Sequence, residues 1–534
     1  MDGTAIMCSI LLVIFFALMI GVGFYTRKNA TDVNGFVLGG RSVGPWLTAF
    51  AFGTSYFSAV IFVGYAGQFG WKFGLASTWA GLGNAFIGSL LAWNILGRRT
   101  RIMTQSLDAK TMPEFFGKRF ISTKLKIAAS VIVFIFLIPY TASLYNGLSS
   151  LFGLVFNVPY WVIIVVMAVL TGVYVIVGGY MATAINDFIQ GIIMLFGICA
   201  VILSVLADNG GLLKATQKLS QISCEGWEGG AFSSFLGPDP LALLFVVILT
   251  SLGTWGLPQM VGKFYAIKSE KDIHKGTVIS TVFAVIVAGG CYFLGGFGRL
   301  YADKIKYSVK VDNGVETKTP LFDTIVPSML STLPPIIIAV VIVLVLSASM
   351  STLSSLVLTS SSTFTLDVIK PAIKGNMDEK KQVATMRAFI IFFIAVSAFI
   401  AIFKDANPQV TFIAQMMGIS WGALAGAFLA PFLYGLYWKG VTKLSVIVCF
   451  VWGCSISVLQ LFISLGFISA KEWGTVLSYI FASSINSGVV AMVGGLVIVP
   501  IISVVSKSLN KKEVDEMFVC FDEKVVVPVT EALD

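Results

Sequence analysis

The sequence predicts an all-α polytopic membrane protein with about thirteen transmembrane helices. Three observations carry that expectation. Hydrophobic residues make up 57% of the 534 positions and charged residues only 12%, against roughly 25% charged in a soluble chain. Apolar runs of about 20 residues, the length that crosses a bilayer, recur from end to end. Lys and Arg gather in alternate segments between those runs, as the positive-inside rule requires.

The runs lie near 5–25, 46–67, 73–96, 125–152, 158–178, 185–206, 240–261, 277–298, 333–366, 384–403, 409–437, 444–466 and 474–504. An odd number puts the termini on opposite sides. With the N-terminus outside, most of the 36 Lys and Arg fall on the inner side. Among them are Arg27, Lys28, Arg41, the cluster from Arg98 to Lys126, Lys263, Lys268, Lys370 and Lys439. The expected orientation is N-out, C-in. The net charge of +9 is accounted for by these loop cations and asks for no anionic partner. The first run precedes its positive charges, so it reads as a retained helix rather than a signal peptide. Two outer segments are long: 207–239, rich in Gly, Ser and acids, and 299–332, of mixed charge and expected to hold an interfacial helix.

Composition also removes function classes. The only histidine, His274, sits in a Lys-rich segment, and the seven cysteines form no CxxC pair. Histidine-based catalysis, His-ligated metal sites and a disulfide framework are thereby nearly excluded. No basic stripe interleaved with exposed aromatics points to nucleic acid.

The polar residues inside the runs are few and patterned. Val341–Asp367 is apolar enough to span a bilayer, yet it carries Ser347, Ser349, Ser351, Thr352, Ser354, Ser355 and Thr359. Residues three and four apart share a helix face, so Ser347, Ser351 and Ser355 form a column. Their hydroxyls suit an alkali cation that must be held and released. They equally suit a close helix–helix seam, and the helix alone leaves both readings open. Two other spans are interrupted by Gly, Pro and hydroxyl residues. One contains Gly53, Thr54, Ser55 and Ser58; the other contains Thr250, Ser251, Gly253, Thr254, Gly256 and Pro258. They lie five spans apart, and a five-helix unit reappears with inverted topology. Inverted repeats that each begin with a broken helix are the mark of a secondary transporter with a midplane site. A break near Thr54–Phe57 would free carbonyl oxygens, whose natural partner is a cation. Asp187 opens an otherwise apolar span and reads either as a functional carboxylate or as an ordinary acid at a helix N-terminus.

Five segments then resemble one family: LGGRSVGPWLTAFAFGTSYFSA (Leu38–Ala59), IVGGYMATAINDFIQ (Ile176–Gln190), WGLPQ (Trp255–Gln259), ASMSTLSS (Ala348–Ser355) and SWGALAGAF (Ser420–Phe428). In order and in compatible spacing over roughly residues 5–460, they resemble the sodium:solute symporter family, nearest to its bacterial sodium/proline branch. The resemblance implies a leucine-transporter-type core of five plus five inverted-repeat helices within 46–437, its halves at 46–206 and 240–437. Residues 1–45 then form an extra N-terminal helix with its inner loop, 438–506 accessory helices, and 507–534 a cytoplasmic tail. It also implies a sodium site made of the carbonyls of Thr54, Phe57 and Ala348 and the hydroxyls of Ser351 and Thr352. A second sodium, found in some members, would use Asp187, Ser354 and Ser355.

The resemblance is weaker for the solute. The proline branch carries Asp where this chain has Tyr56, Trp at Val60 and Tyr at Thr254. The sugar branch carries Gln at Ile61 and Glu near Trp79, and neither is present. Ser58, Tyr140, Trp255, Pro258, Gln259 and Gln415 remain as substrate-binding candidates. No Arg or Lys is expected at their depth to pair an anion, so a solute carboxylate would need backbone N–H groups or a helix end. The expectation is a cell-membrane symporter, working as a monomer. It would import a small solute such as proline or a small monocarboxylate with one or two sodium ions. The alternatives are a sugar, sialic acid or vitamin symporter of the same family, a passive channel, and a transporter-like sensor; an enzyme is not expected.

Overall fold

The computed structural model describes residues 3–156, 158–312, 315–373, 377–405, 413–470 and 472–522. Among them, ten helices are long and apolar enough to cross a membrane. The number is eleven when Pro240–Gly256 and Pro258–Ala266, bent by 48° at their junction, count as one span. Among the described residues the regular structure is helical apart from one hairpin, Tyr307–Asp312 paired antiparallel with Val315–Pro320. That hairpin corrects the interfacial helix expected in 299–332. YSVKVD and VETKTP alternate along most of their length, a strand period, and only Ile325–Leu330 is α-helical there.

Two helical stretches are too long for one crossing. Val60–Ser106 has 47 residues and Tyr160–Asp208 has 49, about 70 Å each at 1.5 Å per residue. Each is interrupted at a glycine in a conformation that a side chain resists: Gly74 with φ 61° and ψ −139°, and Gly179 with φ 55° and ψ −143°. At Gly179 a Cβ would also meet the carbonyl oxygen and ring of Phe36, both at 2.9 Å. Gly179→Ala is therefore expected to cost about 1–3 kcal/mol in backbone strain alone. A thermal unfolding scan of purified protein should show a lowered midpoint; an unchanged one would mean the turn relaxes at no cost.

The hydroxyl-rich helix, Pro335–Phe364, packs against Tyr160–Asp208, Thr123–Val155, Gly3–Thr26 and Pro45–Tyr56, and every side chain from Leu344 to Leu358 is buried. Ile413–Tyr437 lies against Ser484–Val505, Lys443–Ser464, Thr123–Val155 and the turn Gly253–Gly256. Small residues set these crossings: a Cβ on Gly426 would meet Ala491 at 2.7 Å, and one on Gly256 would meet the backbone of Ala425 at 2.7 Å. The described part of the tail, Lys511–Val519 and the turn after it, folds back onto the loops. Lys439 pairs with Asp515 at 2.6 Å, and the Arg119 guanidinium stacks over Phe518.

Candidate functional site

The first broken helix stops at Tyr56 for local reasons. Thr54 and Ser55 turn their hydroxyls back onto the carbonyls of Phe50 and Ala51, a back-bonding that weakens a helix interior. Phe57 then leaves the helical region with φ −83° and ψ 112°, and a helix restarts at Val60. The second broken helix does the same. Leu257 has φ −87° and ψ 119°, held extended by the proline that follows it, and Pro258 opens the next segment. The two breaks thus share one backbone conformation, although a proline imposes only the second.

Facing the first break is the middle of the hydroxyl helix. The Ser351 hydroxyl lies 3.1 Å from the Thr54 carbonyl and 3.1 Å from that of Ala348. The Thr352 hydroxyl lies 3.2 Å from Thr54 O, 3.3 Å from Phe57 O and 3.1 Å from Ala348 O. Five oxygens thus converge with two protons between them. A hydroxyl donates only one hydrogen, so Thr352 cannot satisfy three carbonyls, and Ser351 cannot supply the rest. The cluster is electron-rich and short of positive charge. Oxygens at adjacent corners around a cation bonded at about 2.4 Å, the range of Ca²⁺, lie about 3.4 Å apart. The observed spacings are close to that. Neutral hydroxyl and carbonyl oxygens suit a hard cation rather than a transition metal. Among the described residues, no group of three or more His, Cys, Asp or Glu is gathered as a metal site.

One turn further along, Ser354 donates to the Ser351 carbonyl at 2.9 Å and Ser355 lies 2.7 Å from Ser55. Asp187 is fully buried beside them. Its partner is one the sequence placed elsewhere: Lys263, counted above with the inner loop. That residue is 3% exposed, with its Nζ 3.4 Å from Asp187 Oδ2 and donating to Ser355 Oγ at 3.0 Å. The expectation of no buried lysine near the candidate residues is therefore corrected. The second broken helix runs on to Ala266, so its apolar surroundings continue past the expected end at 261. Lys263 stands one turn after Gln259, and that spacing from a pocket candidate was the available signal.

The substrate candidates separate into groups. Ser58 and Tyr140 are buried with Tyr56 and Trp421. The Trp421 ring lies 6.1 Å from Tyr56 and 6.1 Å, edge-on, from Tyr140. The Tyr140 hydroxyl points toward Ser58 and Trp421. Even so, Tyr56 Oη, Ser58 Oγ, Tyr140 Oη and Trp421 Nε1 are all buried without a hydrogen-bond partner of ordinary geometry among the described residues. Buried polar atoms without a well-made hydrogen bond are uncommon in folded proteins, and this aromatic box holds four of them. Trp421 lies in the SWGALAGAF segment but was not singled out; a Trp amid small residues was its signal. Pro258 and Gln259 instead line a cavity of about 40 Å³ with Lys263 and Ser355. Trp255 is turned away, donating to the Ile87 carbonyl at 3.0 Å. Gln415 is exposed at the start of its helix, outside both groups.

Known proteins resemble this chain over most of its length. The family model described as "Sodium:solute symporter family" matches residues 36–453. The chain belongs to the sodium:solute symporter family. It is a sodium-coupled solute transporter of the cell membrane, not an enzyme. It is 28% identical over 445 residues to the osmoregulated proline transporter OpuE of Bacillus subtilis, covering 83% of this chain and 86% of that one. It is 29% identical over 467 residues to the sodium/proline symporter of Staphylococcus aureus, covering 84% and 85%. Among solved structures it superposes on a Na⁺-coupled sialic acid symporter with a TM-score of 0.71, covering 95% of this chain and 99% of that one. At 16% identity that likeness shows a common fold, of the leucine-transporter type.

Proposed function

We propose that this symporter imports proline, or a solute of similar size with one carboxylate end and an apolar body, together with sodium bound at Thr54, Phe57, Ala348, Ser351 and Thr352. The observation that carries the ion site is the cluster of five oxygens with only two protons. The aromatic box of Tyr56, Tyr140 and Trp421, with Ser58 at its edge, suits a small apolar ring with polar ends. It lies next to the break that carries the ion site, so the solute would sit beside the ion. The helix restarting at Val60 offers its N-terminal end to a carboxylate. The proline named in its relatives supports the same choice.

Sodium binding from outside joins the first broken helix to the hydroxyl helix. It favours the outward state and raises affinity for the solute, a coupling that is reciprocal. Each inward positive charge adds about 2.3 kcal/mol per 100 mV of membrane potential. Asp187, Ser354 and Ser355 form a second position for one positive charge. The transport core is 46–437, with 1–45 before it and 438–506 and the tail 507–534 after it, and the protein works as a monomer. On this reading the breaks at Gly74 and Gly179 each divide one long helical stretch into two crossings, for thirteen in all, and the Lys and Arg distribution supports an N-out, C-in orientation.

The test is uptake of labelled proline into proteoliposomes with and without an inward sodium gradient, in competition with a panel of amino acids and small monocarboxylates. Sodium-driven uptake displaced by excess proline is expected. Sodium-independent uptake would overturn the ion site, and displacement by monocarboxylates but not proline would reassign the solute.

A further inference from the structure

The position beside Asp187 already holds a cation that belongs to the chain. The Lys263 ammonium lies 3.4 Å from Asp187 Oδ2 and 3.0 Å from Ser355 Oγ, with the Tyr180 ring 5.3 Å away on another side. The hydrogen bonds around it run in one direction. Lys263 donates to Ser355, leaving the Ser355 proton for Ser55 at 2.7 Å, and Ser55 donates to the Ala51 carbonyl. Ser354 spends its own proton on the Ser351 carbonyl. Two of the three groups that could hold a second sodium, Asp187 and Ser355, are therefore already turned toward an ammonium.

Charge decides the matter further. Among the described residues Asp187 is the one carboxylate within ion-pair distance of Lys263, and both are almost fully buried. One carboxylate neutralises one cation. A sodium ion added beside Lys263 would leave a buried net positive charge, which a low-dielectric interior resists strongly. The pair is also loosely closed. Its 3.4 Å separation exceeds the usual 2.7–2.9 Å of a charge-assisted hydrogen bond by about half an ångström, and Asp187 Oδ1 has no hydrogen-bond partner among the described residues. The carboxylate is thus able to accept a different cation if the ammonium is removed.

We infer that Lys263 is a tethered substitute for a second sodium ion, so that this symporter binds and moves one sodium per solute. The inference rests on the sodium site proposed above, at Thr54, Phe57, Ala348, Ser351 and Thr352, and assigns the neighbouring position to the protein itself. Lys263 and Ser355 both line the small cavity that also holds Gln259, Thr359 and Ser362, so the ammonium sits at the wall of that cavity.

The experiment counts sodium. Purified full-length protein is titrated with ²²Na⁺ to saturation, and the charge moved per solute is measured in proteoliposomes. Wild type is expected to bind one sodium with a Hill coefficient of one. Lys263→Met keeps the stem and removes the charge; it is expected to bind two, with a Hill coefficient rising toward two. Lys263→Arg retains a cation and should stay at one, and Asp187→Asn with Lys263→Met should return to one. Two sodium ions in the wild type, or one in a folded Lys263→Met, would overturn the inference. No sodium in the wild type would overturn the underlying ion site as well, which separates the two failures. Should Lys263→Met not fold, the wild-type count decides, supported by Asp187→Asn. That variant leaves the count at one if lysine is the occupant and lowers it from two if sodium is.

Discussion

Ser351→Ala combined with Thr352→Ala is expected to abolish sodium-dependent uptake while leaving a folded protein. Both hydroxyls are fully buried and face the first break. Each supplies one of the five oxygens. A hydrogen bond to a charged group contributes about 1.5–3 kcal/mol. A lost ligand of that strength weakens sodium binding by about 10–100-fold, since 1.4 kcal/mol is a factor of ten. The single variants should fall in that range, and the double variant should show no saturable sodium dependence. Alanine is small, apolar and the best helix former, so the helix itself should persist. The decisive measurement is sodium affinity by tracer binding on protein that elutes as a single species. Unchanged affinity in the double variant would sink the site.

The second large effect concerns packing. Gly70, on the first broken helix beyond its break, crosses Gly295 of the segment Gly290–Gly295 so closely that a Cβ on Gly70 would fall on the carbonyl of Gly295. One on Gly295 would fall on the carbonyl of Ala66. The obstacle in each case is backbone, which cannot swing aside as a side chain can. Overpacking of a tight interior costs about 1–3 kcal/mol and sometimes more. Gly70→Ala or Gly295→Ala should therefore lower the unfolding midpoint by about 1–3 °C, or prevent folding. Gly21→Ala is the control. It sits in the first helix with nothing within 4 Å of its Cβ, and higher helix propensity predicts a neutral or slightly raised midpoint. Equal midpoints for Gly70→Ala and wild type would show that the crossing opens freely.

Much of this architecture is legible in the residues. Hydropathy finds the spans because a bilayer imposes a minimum apolar length. The two breaks are visible because Gly, Pro and hydroxyl residues interrupt those apolar runs, and the hydroxyl column is visible because its spacing is helical. Lys263 is where that reasoning fails. A single lysine at the end of an apolar run looks the same in a hydropathy profile whether it reaches a loop or turns inward to a carboxylate. Its partner Asp187 lies 76 positions away, and one sequence gives no reason to join them. The hairpin at 307–320 was missed differently, since mixed charge hid a period of two. Trp421 was passed over because its chemistry comes from an aromatic box assembled from three separate helices.

The break at Phe57 has a consequence for how such a protein can change over time. Two of the five oxygens in the cluster, at Thr54 and Phe57, belong to peptide groups, and a third at Ala348 does too. A codon change at any of these three positions alters a side chain and leaves the carbonyl in place, provided the chain still bends there. The ion's cage is thus written largely in backbone shape, while the neighbouring aromatic box is written in side chains. Mutational drift can rework Tyr56, Ser58 and Trp421 toward a new cargo without redesigning the part that harvests the sodium gradient.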